Sequence, residues 1–479
     1  MKPMQILNRG ARRTGALKLL SAWAGVLVWS GCTAPGPRAP QEFSTPEAAW
    51  REAARIVARV QPPRFPDRSF SILDFGAVPD GRTDATEAIR RAIAACVAAG
   101  GGRVVVPPGE YVTGPIHLRS RVNLHVAEGA VLKFKTDPRA YLPQVLTRFE
   151  GMECYNYSPL LYAHGAEHVA VTGRGLLDGQ ASFENWWAWK GRWKGRPAQG
   201  PDQTAARNRL VAQVAAGVPV EQRRYGEGDY LRPNFIQFYR CRNVLIEGVR
   251  IRRSPMWVVH PVLSTNVLVR GIEVVSHGPN NDGCNPESCR DVVIEECVFD
   301  TGDDCIAIKS GRNEDGRRLG VPSENIVVRK CRMRDGHGGV VIGSEISGGC
   351  RNVFVEDCEM DSPNLDRVIR FKSNAVRGGL VENIFVRNLR VGQVADALLQ
   401  IDFLYEEGAQ GPHRPVLRRL RMEQVDVQKA ARVLDVRGFE GAEIRDVRLV
   451  RCRARGLTRE DVVQHAEVHM EECVWERAR

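Results

Sequence analysis

Seven short segments of the chain share one pattern, and that pattern leaves few folds open. Asn243, Asn266, Asp291, Asn325, Asn352, Asn383 and Asp446 open the copies, at spacings of 23 to 34 residues with a longer gap before the last. One position on stand Val244, Val267, Val292, Ile326, Val353, Ile384 and Val447, and apolar residues recur three, six and eight positions on. Apolar residues at these offsets make two short strands of period two with a bend between them. One such coil cannot bury its inner face alone, so successive coils must stack. The expected fold is all-β, a single-stranded right-handed parallel β-helix with a dry inner column. Cys297, Cys331, Cys358 and Cys452 share the sixth position and are expected as buried, unpaired thiols of that column. Cys284 and Cys289 fall off it and are the better disulfide candidates in an exported protein.

Upstream, the stretch from Asp84 to Ala99 reads as a helix stopped by Gly100–Gly102, placed to cap the open end of the stack. Residues 184–232 break the rhythm with Trp186, Trp187, Trp189 and Trp193 and a helical pattern near 203–215. They are expected as an insertion over one face. The domain plan is therefore a signal peptide at 1–31, a linker at 32–69, and a β-helix at 70–479 carrying the 184–232 insertion.

The N-terminus has a basic start and an apolar run from Leu19 to Trp29, too short to span a bilayer. Ser30-Gly31-Cys32 then resembles a lipoprotein cleavage site, with Cys32 as the lipidated residue; simple cleavage is the alternative. Export to the periplasm, the outer membrane or the medium follows, with membrane attachment through a lipid on Cys32. The formal charge of +11 includes five basic residues and no acid within residues 1–31, which leaves +6 for the rest. A modest scattered excess suits a polyanionic substrate. No basic cluster interleaved with aromatics marks a nucleic-acid binder.

A second strand of each coil aligns on a shared serine, in the segments 281–288, 303–310, 337–344 and 366–373. The first position holds Asn281, Asp303, His337 and Asp366, and Arg370 and Lys372 share its outward parity. Asp282 and Asp304 follow at the strand entrance, where the chain is turning. Four stacked strands span about 14 Å, the reach of a few sugar units. Crowded carboxylates push one pKa upward and give an acid and a base in one place. Gly336, Gly338 and Gly339 clear bulk for a ligand, and Arg370 with Lys372 offers a clamp for a substrate carboxylate. Two carboxyl roles beside such a clamp describe hydrolysis of a glycosidic bond in an acidic sugar polymer, a reaction that needs no metal or cofactor.

These residues resemble glycoside hydrolase family 28, the polygalacturonase family. Its Asn-x-Asp, Gly-Asp-Asp, Gly-His-Gly and Arg-x-Lys motifs match Asn280-Asn281-Asp282, Gly302-Asp303-Asp304, Gly336-His337-Gly338 and Arg370-Phe371-Lys372, in order. The resemblance covers about residues 70–475. It implies that Asp303 is the general acid and that Asp282 with Asp304 holds the attacking water, in an inverting reaction. His337 would tune the acid and contact sugar, Asn281, Arg370 and Lys372 would bind substrate, and Tyr405 would contact sugar. The 184–232 insertion resembles the exo-acting bacterial subgroup, in which loops close one end of the cleft. The implied substrate is pectin, as α-1,4-linked galacturonic acid. A rhamnogalacturonan or xylogalacturonan hydrolase, a pectate lyase and a non-catalytic carbohydrate-binding β-helix are the alternatives.

Overall fold

The residue that heads each copy is fixed by backbone geometry. Asn243, Asn266, Asp291, Asn325, Asn352, Asn383 and Asp446 all take φ between 55° and 60°, a left-handed conformation that Asn and Asp tolerate better than most side chains. Their side chains then stack along the coils. Asn266 donates to Asn243 at 2.9 Å, Asn325 to Asp291 at 3.1 Å, Asn352 to Asn325 at 3.0 Å and Asn383 to Asn352 at 2.9 Å. The long gap before Asp446 contains another coil. Arg419 takes the corner at φ 54°, with Leu420, Met422, Val425 and Val427 buried at the four apolar offsets.

The structure is a computed structural model that describes residues 43–198 and 200–478. The signal peptide of residues 1–31 and the lipidation site Cys32 lie outside the described residues. Strands pair in parallel from coil to coil in the three larger sheets, of 24, 6 and 4 strands. The chain therefore winds as a single-stranded parallel β-helix, right-handed as parallel crossovers are. The six-stranded sheet begins with Ile306–Ile308, Val340–Ile342 and Arg367–Lys372, in the register Ile306↔Val340↔Ile369. Bridges from Val259 to Cys284 and from Cys284 to Ile306 join it to the four-stranded sheet.

The cysteine column is buried and unpaired as expected. Cys284 and Cys289 are also free and buried, which corrects the disulfide expectation. Cys284 packs in the inner column, while the Cys289 thiol donates to the carbonyls of Pro261 and Glu287 at 3.2 and 3.4 Å.

Three helices matter to the site and its support. Helix α1 (Pro46–Arg59) lies inside the stretch expected as a linker. Thr45 caps it by accepting from the Ala48 N–H, and it packs on an outer apolar strip of Ala170, Leu245, Leu268, Val293, Val327, Phe354 and Phe385. Helix α2 (Thr86–Ala98) seals the first coil with Ala88, Ile89, Ala92, Ile93 and Cys96, close to the expected bounds. Helix α3 (Thr204–Ala215) falls in the insertion as expected. Its Leu210 and Val214 pack on an unexpected antiparallel hairpin, Val145–Phe149 with Met152–Asn156. Among the described residues no helix is long and apolar enough to cross a membrane.

Candidate active site

The parallel register decides which side chains meet. With Ile306 opposite Val340 and Val340 opposite Ile369 facing the core, Asp303 and His337 occupy equivalent corners of successive coils. His337 Nδ1 lies 3.0 Å from Asp303 Oδ1. Asp304, fully buried, accepts from Lys372 Nζ at 2.7 Å and faces Arg370 Nη1 at 3.6 Å. Asp282, one coil earlier, accepts from Asn285 Nδ2 at 2.8 Å and lies 3.6 Å from Lys309 Nζ. The Tyr405 ring sits beside both cations, its centroid 5.7 Å from the Arg370 guanidinium and 5.4 Å from Lys372 Nζ. Asp282, Asp303, Asp304, His337, Arg370, Lys372 and Tyr405 thus gather in one cluster.

Asn281 does not join that cluster. Its side chain is fully buried, accepting from Ser276 Oγ at 2.6 Å and Gly278 N–H at 2.9 Å and donating to the carbonyls of Met256 and Pro279. The alternation of an extended strand fails there because the chain is still turning. Asn281 closes the loop that presents Asp282, and its substrate-binding assignment is corrected to that structural role. Lys372 is also more committed than a free clamp would be, being paired with Asp304.

The three acids differ in access, and Asp282 and Asp303 differ in the direction of their pKa. Asp303 keeps 18% of its side chain exposed, against 4% for Asp282 and none for Asp304. Burial, then the neighbouring Asp303 carboxylate, pushes Asp282 up to about 8, against the pull of Lys309. Burial would raise Asp303 too, but the His337 bond and the nearby Lys372 and Lys309 charges outweigh it and hold that carboxyl well below the usual range. Burial opposes charge on His337, yet Asp303 holds its pKa above the ordinary value. Such groups titrate as one cluster, with Asp282 the carboxyl raised and Asp303 the carboxyl lowered.

Asp303, Asp304 and His337 bring ligand-type atoms within 4.8 Å of one another. Lys372 already occupies the space beside Asp304 and would repel a metal cation, so the arrangement suits proton transfer.

Two groups went unremarked in the sequence, Lys309 and Glu345. Lys309 stands in the same aligned column as Lys372, one position before the shared serine, and that column was the available signal. The insertion grips the turns that carry the acids. Trp187 Nε1 donates to the Ser254 carbonyl at 2.8 Å, Arg232 reaches the Pro279 carbonyl at 2.6 Å and Asn280 Oδ1 at 2.7 Å, and Lys194 Nζ lies 3.4 Å from the Gly302 carbonyl.

The model of the glycosyl hydrolases family 28 matches residues 224–431. A second one, described as rhamnogalacturonase A/epimerase, pectate lyase-like, matches residues 69–136. A solved exopolygalacturonase of Thermotoga maritima is 45% identical with a TM-score of 0.87, covering 89% of this chain and 96% of its own. A probable polygalacturonase of Vitis vinifera is 32% identical over 67% of this chain and 60% of its own length. The exo-poly-alpha-D-galacturonosidase of Dickeya chrysanthemi is 26% identical over 70% of this chain and 57% of its own. The chain thus spans less than two thirds of those two curated relatives. With Asp282, Asp303, Asp304, His337, Arg370 and Lys372 of the four motifs gathered together and a 45% identical solved structure covered almost end to end, the chain belongs to the glycosyl hydrolases of family 28.

Proposed function

We propose that the protein hydrolyses α-1,4-linked galacturonic acid in pectin, releasing residues from a chain end. The observation that carries this reading is the convergence of three carboxyls and the Arg370 guanidinium in one cluster, with Asp303 the most accessible acid. Asp303 reaches the leaving oxygen and protonates it, while Asp282 and Asp304 orient and deprotonate the water on the opposite face of the sugar, with inversion. Arg370, beside Tyr405 and the Asp304-bound Lys372, receives the substrate carboxylate. The reactive form is the one with the cluster's proton on Asp303, which leaves Asp282 as base. The insertion supports exo action, because Trp187, Lys194 and Arg232 close over the turns on one side of the acids.

Chromatography of products from polygalacturonate tests the reading. Monomer from the first time point is the expected result, and a ladder of oligomers would replace exo with endo action. An unsaturated, ultraviolet-absorbing product would mean a lyase, and binding without any product a carbohydrate-binding β-helix.

The site of action we propose is outside the cytoplasm, with a lipid on Cys32 as the anchor. Labelling with a radioactive fatty acid, lost in Cys32→Ser, is the expected result; an unlabelled, soluble wild-type protein would leave simple cleavage.

A further inference from the structure

Lys309 is a lysine that no substrate can reach. Its side chain is 3% exposed and its Nζ lies 4.5 Å over the Trp257 ring. Two carboxylates face it, Glu345 Oε2 at 2.9 Å and Asp282 Oδ2 at 3.6 Å. Glu287, its partner on the preceding coil, is already engaged by Arg148 at 3.0 Å and His260 at 2.7 Å. Asp303, Asp304 and Lys372 also act on Asp282, and Asp304 acts on Lys309. Glu345 is itself anchored. Arg312 lies 3.8 Å from it and reaches Glu406 and Glu407 at 3.4 Å each, the two residues that follow Tyr405. A charge buried this deeply is costly unless its partners are fixed, and here they are fixed beside one catalytic carboxyl.

We infer that Lys309, pinned by Glu345, is a positioning residue that favours the ionised form of Asp282 and so directs the cluster's proton to Asp303 once substrate fills the groove. In that step the proton leaves an Asp282 oxygen and binds an Asp303 oxygen, with no change in the cluster's total charge. Lys309 never touches substrate. It acts through the field it places on one of two competing carboxyls, and Glu345 sets how much of that field Asp282 feels. The inference rests on the hydrolase reading above.

The test compares pH profiles of kcat and KM on galacturonate oligomers for the wild type, Lys309→Met, Lys309→Arg and Glu345→Gln. Lys309→Met is expected to lower kcat roughly 100-fold at neutral pH, to leave KM within about twofold, and to move the acid limb of kcat up by about one pH unit. Lys309→Arg restores most of the activity. Glu345→Gln frees more of the lysine's field for Asp282, so its acid limb moves down. Opposite displacements are the signature, because a merely structural role would not move the limb in two directions. If Lys309→Met does not fold, the downward shift in Glu345→Gln carries the decision. Unmoved limbs, or limbs that move the same way in both variants, would overturn the inference. A wild type that releases no galacturonate would instead overturn the hydrolase reading.

Discussion

Lys372 donates to Asp304 across the intervening coil, bridging residues 68 apart in sequence at 2.7 Å. That coil presents Gly338 beside Arg370, where a Cβ would stand 2.6 Å from Val341 Cγ2 and 3.5 Å from the Arg370 Cβ. One consequence is a division of labour between the two cations. Lys372 is committed to its bond with Asp304, while Arg370, held by Gln400 Oε1 at 2.8 Å, is the cation more open to a ligand.

Arg370→Ala should therefore raise KM for acidic oligomers by roughly 10- to 100-fold, the worth of a charge-assisted hydrogen bond. Methyl-esterified oligomers, which lack the carboxylate, should be affected far less. Equal losses on both substrates would count against the clamp.

Asp303→Asn should reduce kcat by about 10³-fold, within the span for loss of a positioned acid, while oligomer binding measured by calorimetry stays close to wild type. Because His337 loses its charged partner in the same variant, its ring should titrate at lower pH, which NMR would report. Retention of full activity would remove Asp303 from the donor role.

Asp282→Asn should inactivate the protein and stabilise it. Asp282 is raised in the fold from 3.8 to about 8, so between those values the folded state holds a proton the unfolded chain has lost. Stability then falls as pH rises through that window. The neutral amide escapes this penalty, so the Tm gain over wild type should grow from pH 4 to pH 8 and then level off. A constant or shrinking gain would refute the raised pKa.

Phe354→Ala should cost about 3–5 kcal/mol in denaturant unfolding. Its ring is fully buried, stacked on Phe385 at 5.7 Å and met by Phe43 at 6.0 Å and Trp50 at 5.8 Å. A cost under 1 kcal/mol would mean that α1 contributes little to the fold.

The coil repeat made the fold legible because inward positions answer to one demand, burial in a narrow column, and so recur in register. It also carried most of the site, since stacking converts equal offsets into neighbours. Helix α1 was missed although its footprint was printed in the repeat. Leu245, Leu268, Val293, Val327, Phe354 and Phe385 stand two positions after the corner residues, where a solvated strand face would be polar. Asn281 was misplaced because strand parity was carried into a turn. Lys309 was signalled by its column, but its pairing with Glu345 depends on distances across coils that spacing alone does not supply. The Arg419 coil was hidden by an arginine where Asn or Asp was expected.

Helix α1 also changes how the protein carries mechanical load. Its contacts span residues from Ala170 to Phe385, and Arg59 is hydrogen-bonded to Asp291 at 2.7 Å. A pull on the chain at Phe43 is therefore shared among many coils through the strap, where a bare terminal strand would peel away one rung at a time.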